Sequence, residues 1–88
     1  MKERLKRMEQ RNDEARALIE KAERCLKAVP KDVNGANMFL NDAQSKVNLV
    51  KIEINRLGHE RMSDEEYEKM RSIVATNANL NNKISKLR

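Results

Sequence analysis

Side chains able to do chemistry are few in this chain of 88 residues. It has one cysteine, Cys25, one histidine, His59, and one acidic run, Asp64-Glu65-Glu66. Thiol catalysis needs a neighbouring base that holds the sulfur as thiolate, and no pattern around Cys25 supplies one. A zinc site needs several nitrogen and sulfur ligands at coordinating spacing. Cys25 has no C-x-x-C partner, and His59 stands alone in the stretch GHERM, so it reads as a loop histidine that could make its turn mildly pH-sensitive. The three acids follow Ser63, where first-turn carboxylates complete a helix start, and they read as capping residues. No phosphate-cradling glycine loop, paired-carboxylate site or triad pattern appears. Neither enzymatic activity nor a cofactor or metal is expected.

A different polar concentration lies in SIVATNANLNN, residues 72–82. Asn77, Asn79, Asn81 and Asn82 fall there within a stretch whose neighbours look helical. Asparagine is a poor helix-interior residue because its amide competes for backbone hydrogen bonds. The elements around these residues have to account for them.

Heptad spacing is the dominant signal. Met1, Leu5, Met8, Asn12, Ala15, Ile19, Ala22, Leu26 and Val29 alternate steps of four and three, with Leu18 and Cys25 forming a third column beside them. Pro30 should stop this first helix. In the connector PKDVNG, Asp32 or Asn34 can cap a second helix and Gly35 relaxes the turn. Ala36, Leu40, Ala43, Val47, Val50, Ile54 and Leu57 repeat the pattern, and Gly58 stands where a left-handed C-cap glycine belongs. Ser63 and Glu66 make an S-x-x-E capping box for a third helix, whose seam is Met70, Ile73, Asn77, Leu80, Ile84 and Leu87. The spacing predicts helices over about 2–29, 33–57 and 64–88, each about 37–42 Å long. The fold expected is all-α: one domain over 1–88, an antiparallel up-down-up three-helix bundle with heptad seams. The outer ends of the first and third helices lack caps, which predicts a segment of a longer helical protein.

Composition agrees with that architecture. Charged residues are 38% and hydrophobic residues 39% of the chain, as amphipathic helices with solvated outer faces require. The net charge of +5 comes from 19 basic and 14 acidic residues with interspersed signs, and with 2% aromatics there is no stacking stripe. Nucleic acid is therefore a disfavoured partner. Contact of the basic charge with an acidic protein or lipid surface stays open. No apolar run is long enough to span a membrane. A lone cysteine excludes an intrachain disulfide, so a reducing, cytoplasmic location is expected. Surface charges such as Glu20 with Arg24 and Glu23 with Lys27 have helical spacing for pairing along one helix.

The stretch AVPKDVNGANMFLNDAQSKVNLVKIEINRL resembles the end of the first helix and the second helix of a spectrin-type repeat. The residues that carry the likeness are Lys31, Asp32 and Val33 in the turn, Leu40 near the start of the second helix, and Asn55-Arg56 near its end. The chain is shorter than the usual repeat, its second helix is short, and its first helix has no tryptophan; degenerate repeats of the plakin, dystrophin and nesprin kind also lose the tryptophan. The resemblance implies a spacer or docking unit in a cytoskeletal, adaptor or membrane-linker protein. EKAERCLKA, Glu20 to Ala28, and the second-helix spacing are also similar to the Rho-binding hairpin of Rho-effector kinases, the homology-region-one domain. That likeness implies binding of a Rho-class small GTPase, although a full third helix is not part of its pattern.

Two sets of residues stand out as candidates. With Leu40, Val47 and Ile54 buried, Met38, Leu49 and Ile52 point to nearly the opposite side of the second helix, with Asp42, Ser45 and Arg56 as a polar rim. Met38, Leu49, Ile52 and Arg56 are either a face for another protein, expected to be helical, or scattered surface residues. Heptads of this quality also support self-association, so monomer and homodimer both stay open. Among the asparagines, only Asn77 takes a core position, at nearly the height of Asn12 on the first helix. The pair is expected to form a buried polar layer, with or without a water and opposite Ala43, that fixes register.

Overall fold

The computed structural model describes all residues, Met1–Arg88. They form α1 (Lys2–Lys27), α2 (Val33–Leu57) and α3 (Asp64–Leu87), joined by two short connectors into an antiparallel up-down-up bundle with a long axis of 50 Å. Arg4 of α1 meets Glu60 of the second connector at one end of the rod. Arg88 reaches Asn41, near the start of α2, at the other.

α2 and α3 start where the sequence neutralises free backbone N–H groups, whereas α1 has no side-chain cap. Asp32 caps α2, its Oδ1 accepting from the Gly35 backbone N–H at 2.9 Å. Gly35 makes that cap fit, since a Cβ there would run into the Asp32 carboxylate. Ser63 and Glu66 close a reciprocal capping box on α3: the Glu66 N–H donates to Ser63 Oγ at 3.2 Å and the Ser63 N–H to Glu66 Oε1 at 3.0 Å.

Two helix ends differ from expectation. Val29 is not a seam residue; it is 98% exposed, because α1 stops at Lys27. The residue before a proline is disfavoured in helical conformation, and the chain already turns extended at Ala28, with φ −68° and ψ 156°. The connector then folds back, with the Asp32 N–H donating to the Cys25 carbonyl at 3.0 Å. Gly58 is not left-handed either. Its φ is −61°, and its N–H still makes the helical bond to Ile54. The following turn closes through the Glu60 N–H on the Leu57 carbonyl, so no left-handed residue is needed there.

The core takes its residues from the three heptad seams. Ala15 and Ala22 of α1 and Ala36 and Ala43 of α2 are all at most 1% exposed. Small side chains on both partners let backbones approach, and α1–α2 is the most closely packed helix pair. α3 lies over that hairpin with larger residues, Met70, Ile73, Leu80 and Ile84. Leu26, Ile54 and Leu87 are only half-buried at the margins. The apolar interior divides into two clusters. One gathers Leu5, Met8, Val50, Leu57, Met70 and Ile73; the other runs from Ala15, Ile19 and Ala22 through Leu40 and Val47 to Leu80 and Ile84.

The capping box makes the start of α3 sensitive to acid. The Ser63 backbone N–H holds the Glu66 carboxyl below the usual glutamate range, helped by the Ser63 hydroxyl, the N-terminal ammonium and Lys2, while partial desolvation opposes them. A lowered folded value gives a contribution that is whole above the ordinary range and is lost as pH falls through the lowered value. NMR titration should find the Glu66 carboxyl below an unstructured glutamate, and Ser63→Ala, which removes the hydroxyl but keeps the backbone N–H, should raise it only part of the way while costing about 1 kcal/mol. An ordinary midpoint in the parent chain would contradict the box.

Candidate functional site

The side chains with chemical potential remain apart. Cys25 is a half-buried free thiol packed against the larger apolar cluster. His59 is exposed in the second connector, and Asp64, Glu65 and Glu66 occupy the first turn of α3. No three His, Cys, Asp or Glu residues converge as a metal-binding group.

The polar layer is built from two amides. Asn12 is 2% and Asn77 3% exposed, and the Asn77 Nδ2 donates to Asn12 Oδ1 at 3.3 Å. The same Nδ2 donates to the Val47 carbonyl of α2 at 3.1 Å, and Asn12 Nδ2 donates to the Ile73 carbonyl of α3 at 3.3 Å. The pair thus touches all three helices and lies where the two apolar clusters meet. The contact is direct, and no buried side-chain nitrogen or oxygen is left without a partner. α2's contribution is the Val47 carbonyl, one turn on from the Ala43 expected there. Ala43 belongs to the apolar cluster instead. Of the remaining asparagines, Asn79 and Asn82 are exposed, while half-buried Asn81 accepts from Gln44 Nε2 at 3.2 Å.

The outer face of α2 is wet. Met38 is 69%, Leu49 44% and Ile52 48% exposed, on the side of α2 away from its buried seam. Leu49 and Ile52 are neighbours one turn apart. Met38 lies about 16 Å along the axis from Leu49, with Asp42 and Ser45 between. Arg56 shares the face and pairs with Glu53 at 3.3 Å. The helix therefore carries an apolar stripe on each of two sides, only one of which is covered.

Sequence patterning missed a groove at the α2–α3 end, about 620 Å³, lined among others by Ile54, Met62, Tyr67, Met70 and Val74. Tyr67 and Val74 are exposed on α3 off its seam, and their spacing of seven residues was the available signal. The seams between helices also differ in chemistry. Every ion pair that α1 makes with the rest of the bundle is interhelical or to a connector: Arg4–Glu60, Glu9–Lys69, Glu14–Lys46 and Glu23–Lys83. Glu23 thus reaches across to α3 and not along α1 to Lys27, and Glu20 makes no ion pair with Arg24. Between α2 and α3 there is no ion pair; the links are Gln44–Asn81, Asn77 to the Val47 carbonyl, and Arg88 to Asn41 Oδ1.

Comparison with known protein families, characterised proteins and solved structures finds no match to the chain.

The amide pair generates an asymmetric expectation. Asn77→Leu alone leaves Asn12 half-satisfied in the interior and should cost roughly 1–3 kcal/mol in denaturant unfolding. Asn12→Leu with Asn77→Leu should recover that loss or exceed the parent, while the ¹H–¹⁵N spectrum broadens or doubles as alternative registers become populated. A double variant with one sharp spectrum and parent-like helix contacts would remove the register role.

Proposed function

We propose that this chain is a non-enzymatic protein-interaction module, a spectrin-repeat-like helical spacer whose outer α2 face receives another protein's helix. The observation that carries the reading is the doubly apolar α2: its inner stripe is consumed by the bundle, while Leu49 and Ile52 stand in water. Contiguous apolar side chains with a charged rim are the usual composition of a docking surface, and a helix laid along them would bury an i, i+3, i+4 ridge. A rod of this shape places its two ends apart at a set spacing, which suits a cytoskeletal, adaptor or membrane-linker role. No helix is long and apolar enough to cross a membrane. The free Cys25 suits a reducing compartment such as the cytoplasm.

A photo-crosslinking residue at Ser45, beside the stripe, should trap a discrete protein adduct in cells. Leu49→Lys with Ile52→Lys should abolish that adduct while helicity and melting temperature stay close to the parent's. Unfolding of the double variant would show these residues to be core and sink the reading.

A second reading, a hairpin that binds a Rho-class small GTPase, draws on the close packing of α1 against α2. It requires retention of the GTP-loaded form over the GDP-loaded form in a pull-down, and equal retention of both removes it.

A further inference from the structure

We infer that the helix received by the outer face of α2 is α2 of a second copy of this chain, docked antiparallel about a twofold axis at Leu49. The inference rests on the reading of that face as a docking surface. Met38, Asp42, Ser45, Leu49, Ile52 and Arg56 follow each other at steps of four, three, four, three and four. That row runs straight along the side of α2 opposite the buried seam: an apolar centre at Leu49 and Ile52, with the opposite charges Asp42 and Arg56 one heptad to either side of Leu49.

The charges select the partner and its direction. Asp42 stands seven residues before Leu49 and Arg56 seven residues after it. An antiparallel pairing centred on Leu49 sets each Asp42 opposite an Arg56, and does so twice, because a twofold interface repeats every contact. Asp42 is exposed and takes part in none of the chain's ion pairs. Arg56, its side chain 69% exposed, is held only by Glu53 within its own helix and has donors to spare. Parallel pairing would set Asp42 on Asp42 and Arg56 on Arg56, a repulsive arrangement. Between the two ion pairs, Leu49 faces its symmetry mate, and Ile52 falls within one residue, about 1.5 Å along the axis, of the small Ser45. α1 borders this row at Asp42 and Ser45, which share a surface groove with Glu14, Leu18 and Lys21, while Leu49, Ile52 and Arg56 stand exposed beyond it.

Sedimentation equilibrium of the full chain should show a concentration-dependent dimer. Asp42→Arg and Arg56→Asp should each weaken self-association by at least roughly tenfold, by setting like charges together. Mixed in equal amounts, the two variants should associate again, since each new arginine then meets a new aspartate and each native arginine a native aspartate. Both positions are exposed, and unchanged melting temperatures would exclude misfolding as the cause. With Cys25→Ala as background, Leu49→Cys should close an interchain disulfide under mild oxidation and Met38→Cys should not. A parent chain that stays monomeric at all concentrations, or a mixture that fails to associate, overturns the self-pairing. If the purified chain is monomeric while the Ser45 crosslink traps a different protein, the docking face stands and only the self-pairing fails. If neither occurs, both fall.

Discussion

Two primary amides inside an otherwise apolar rod impose the tightest geometric demand on this molecule. Each must find partners in a place water does not reach, and stranding one costs roughly 1–3 kcal/mol. Asn12 and Asn77 meet that demand with each other, with the Ile73 carbonyl and with the Val47 carbonyl, one set of bonds that spans all three helices. Sliding α3 by one heptad, about 10 Å, would preserve the apolar seam but part the amides. The interhelical ion pairs Glu9–Lys69 and Glu23–Lys83 accord with the observed register, yet such exposed pairs contribute only about 0–1 kcal/mol each. In the alignment the buried amides therefore outweigh the exposed ion pairs.

With register settled, the sizes of the side chains settle the shape. Alanines at Ala15, Ala22, Ala36 and Ala43 draw α1 and α2 together, and the bulkier α3 rests against the hairpin they make. A three-helix bundle gives each helix one inward face. α2 has more apolar surface than one face can hold, and the surplus at Leu49 and Ile52 is turned to solvent with Asp42 and Arg56 on the same line. That surplus is what α2 can offer to another helix, because all its other large apolar side chains beyond Met38 and Val33 contribute to the core or its margin.

Much of this architecture is legible in the sequence. Every buried residue sits on one of the heptad seams, because a period near 3.5 leaves little freedom over which side of a helix faces inward. The caps at Asp32 and Ser63 could be read because capping is a local exchange between a side chain and the next turn. Asn12 and Asn77 could be brought to one level by counting turns, but their α2 acceptor could not, since it is a backbone carbonyl, which every residue carries. Val29 was misplaced because the heptad count runs on past the point where Pro30 stops the helix. Gly58 looked like a left-handed cap by type and position alone, while the conformation depends on the turn that follows it. Glu23 could pair along its own helix or across to Lys83, a choice that tertiary distance makes. The α2–α3 groove lies within residues 54–75 and depends on how the second connector folds Ile54 and Met62 beside Tyr67 and Val74, a path that residue types alone leave open.

The unequal chemistry of the seams has its own consequence. α1 is tied to the bundle through carboxylate–cation pairs near the surface, whereas α2 and α3 are joined by side-chain amides and one guanidinium-to-amide contact. Dissolved ions screen exposed charges within about 8 Å at physiological ionic strength, and they leave dipolar amide contacts nearly untouched. Viewed down the rod, the bundle is a triangle whose two sides at α1 respond to the surrounding electrolyte and whose third side does not. A change of ionic strength therefore acts on one set of contacts only, the exposed pairs of α1, while the apolar seams and the buried Asn12–Asn77 bonds keep all three helices in register.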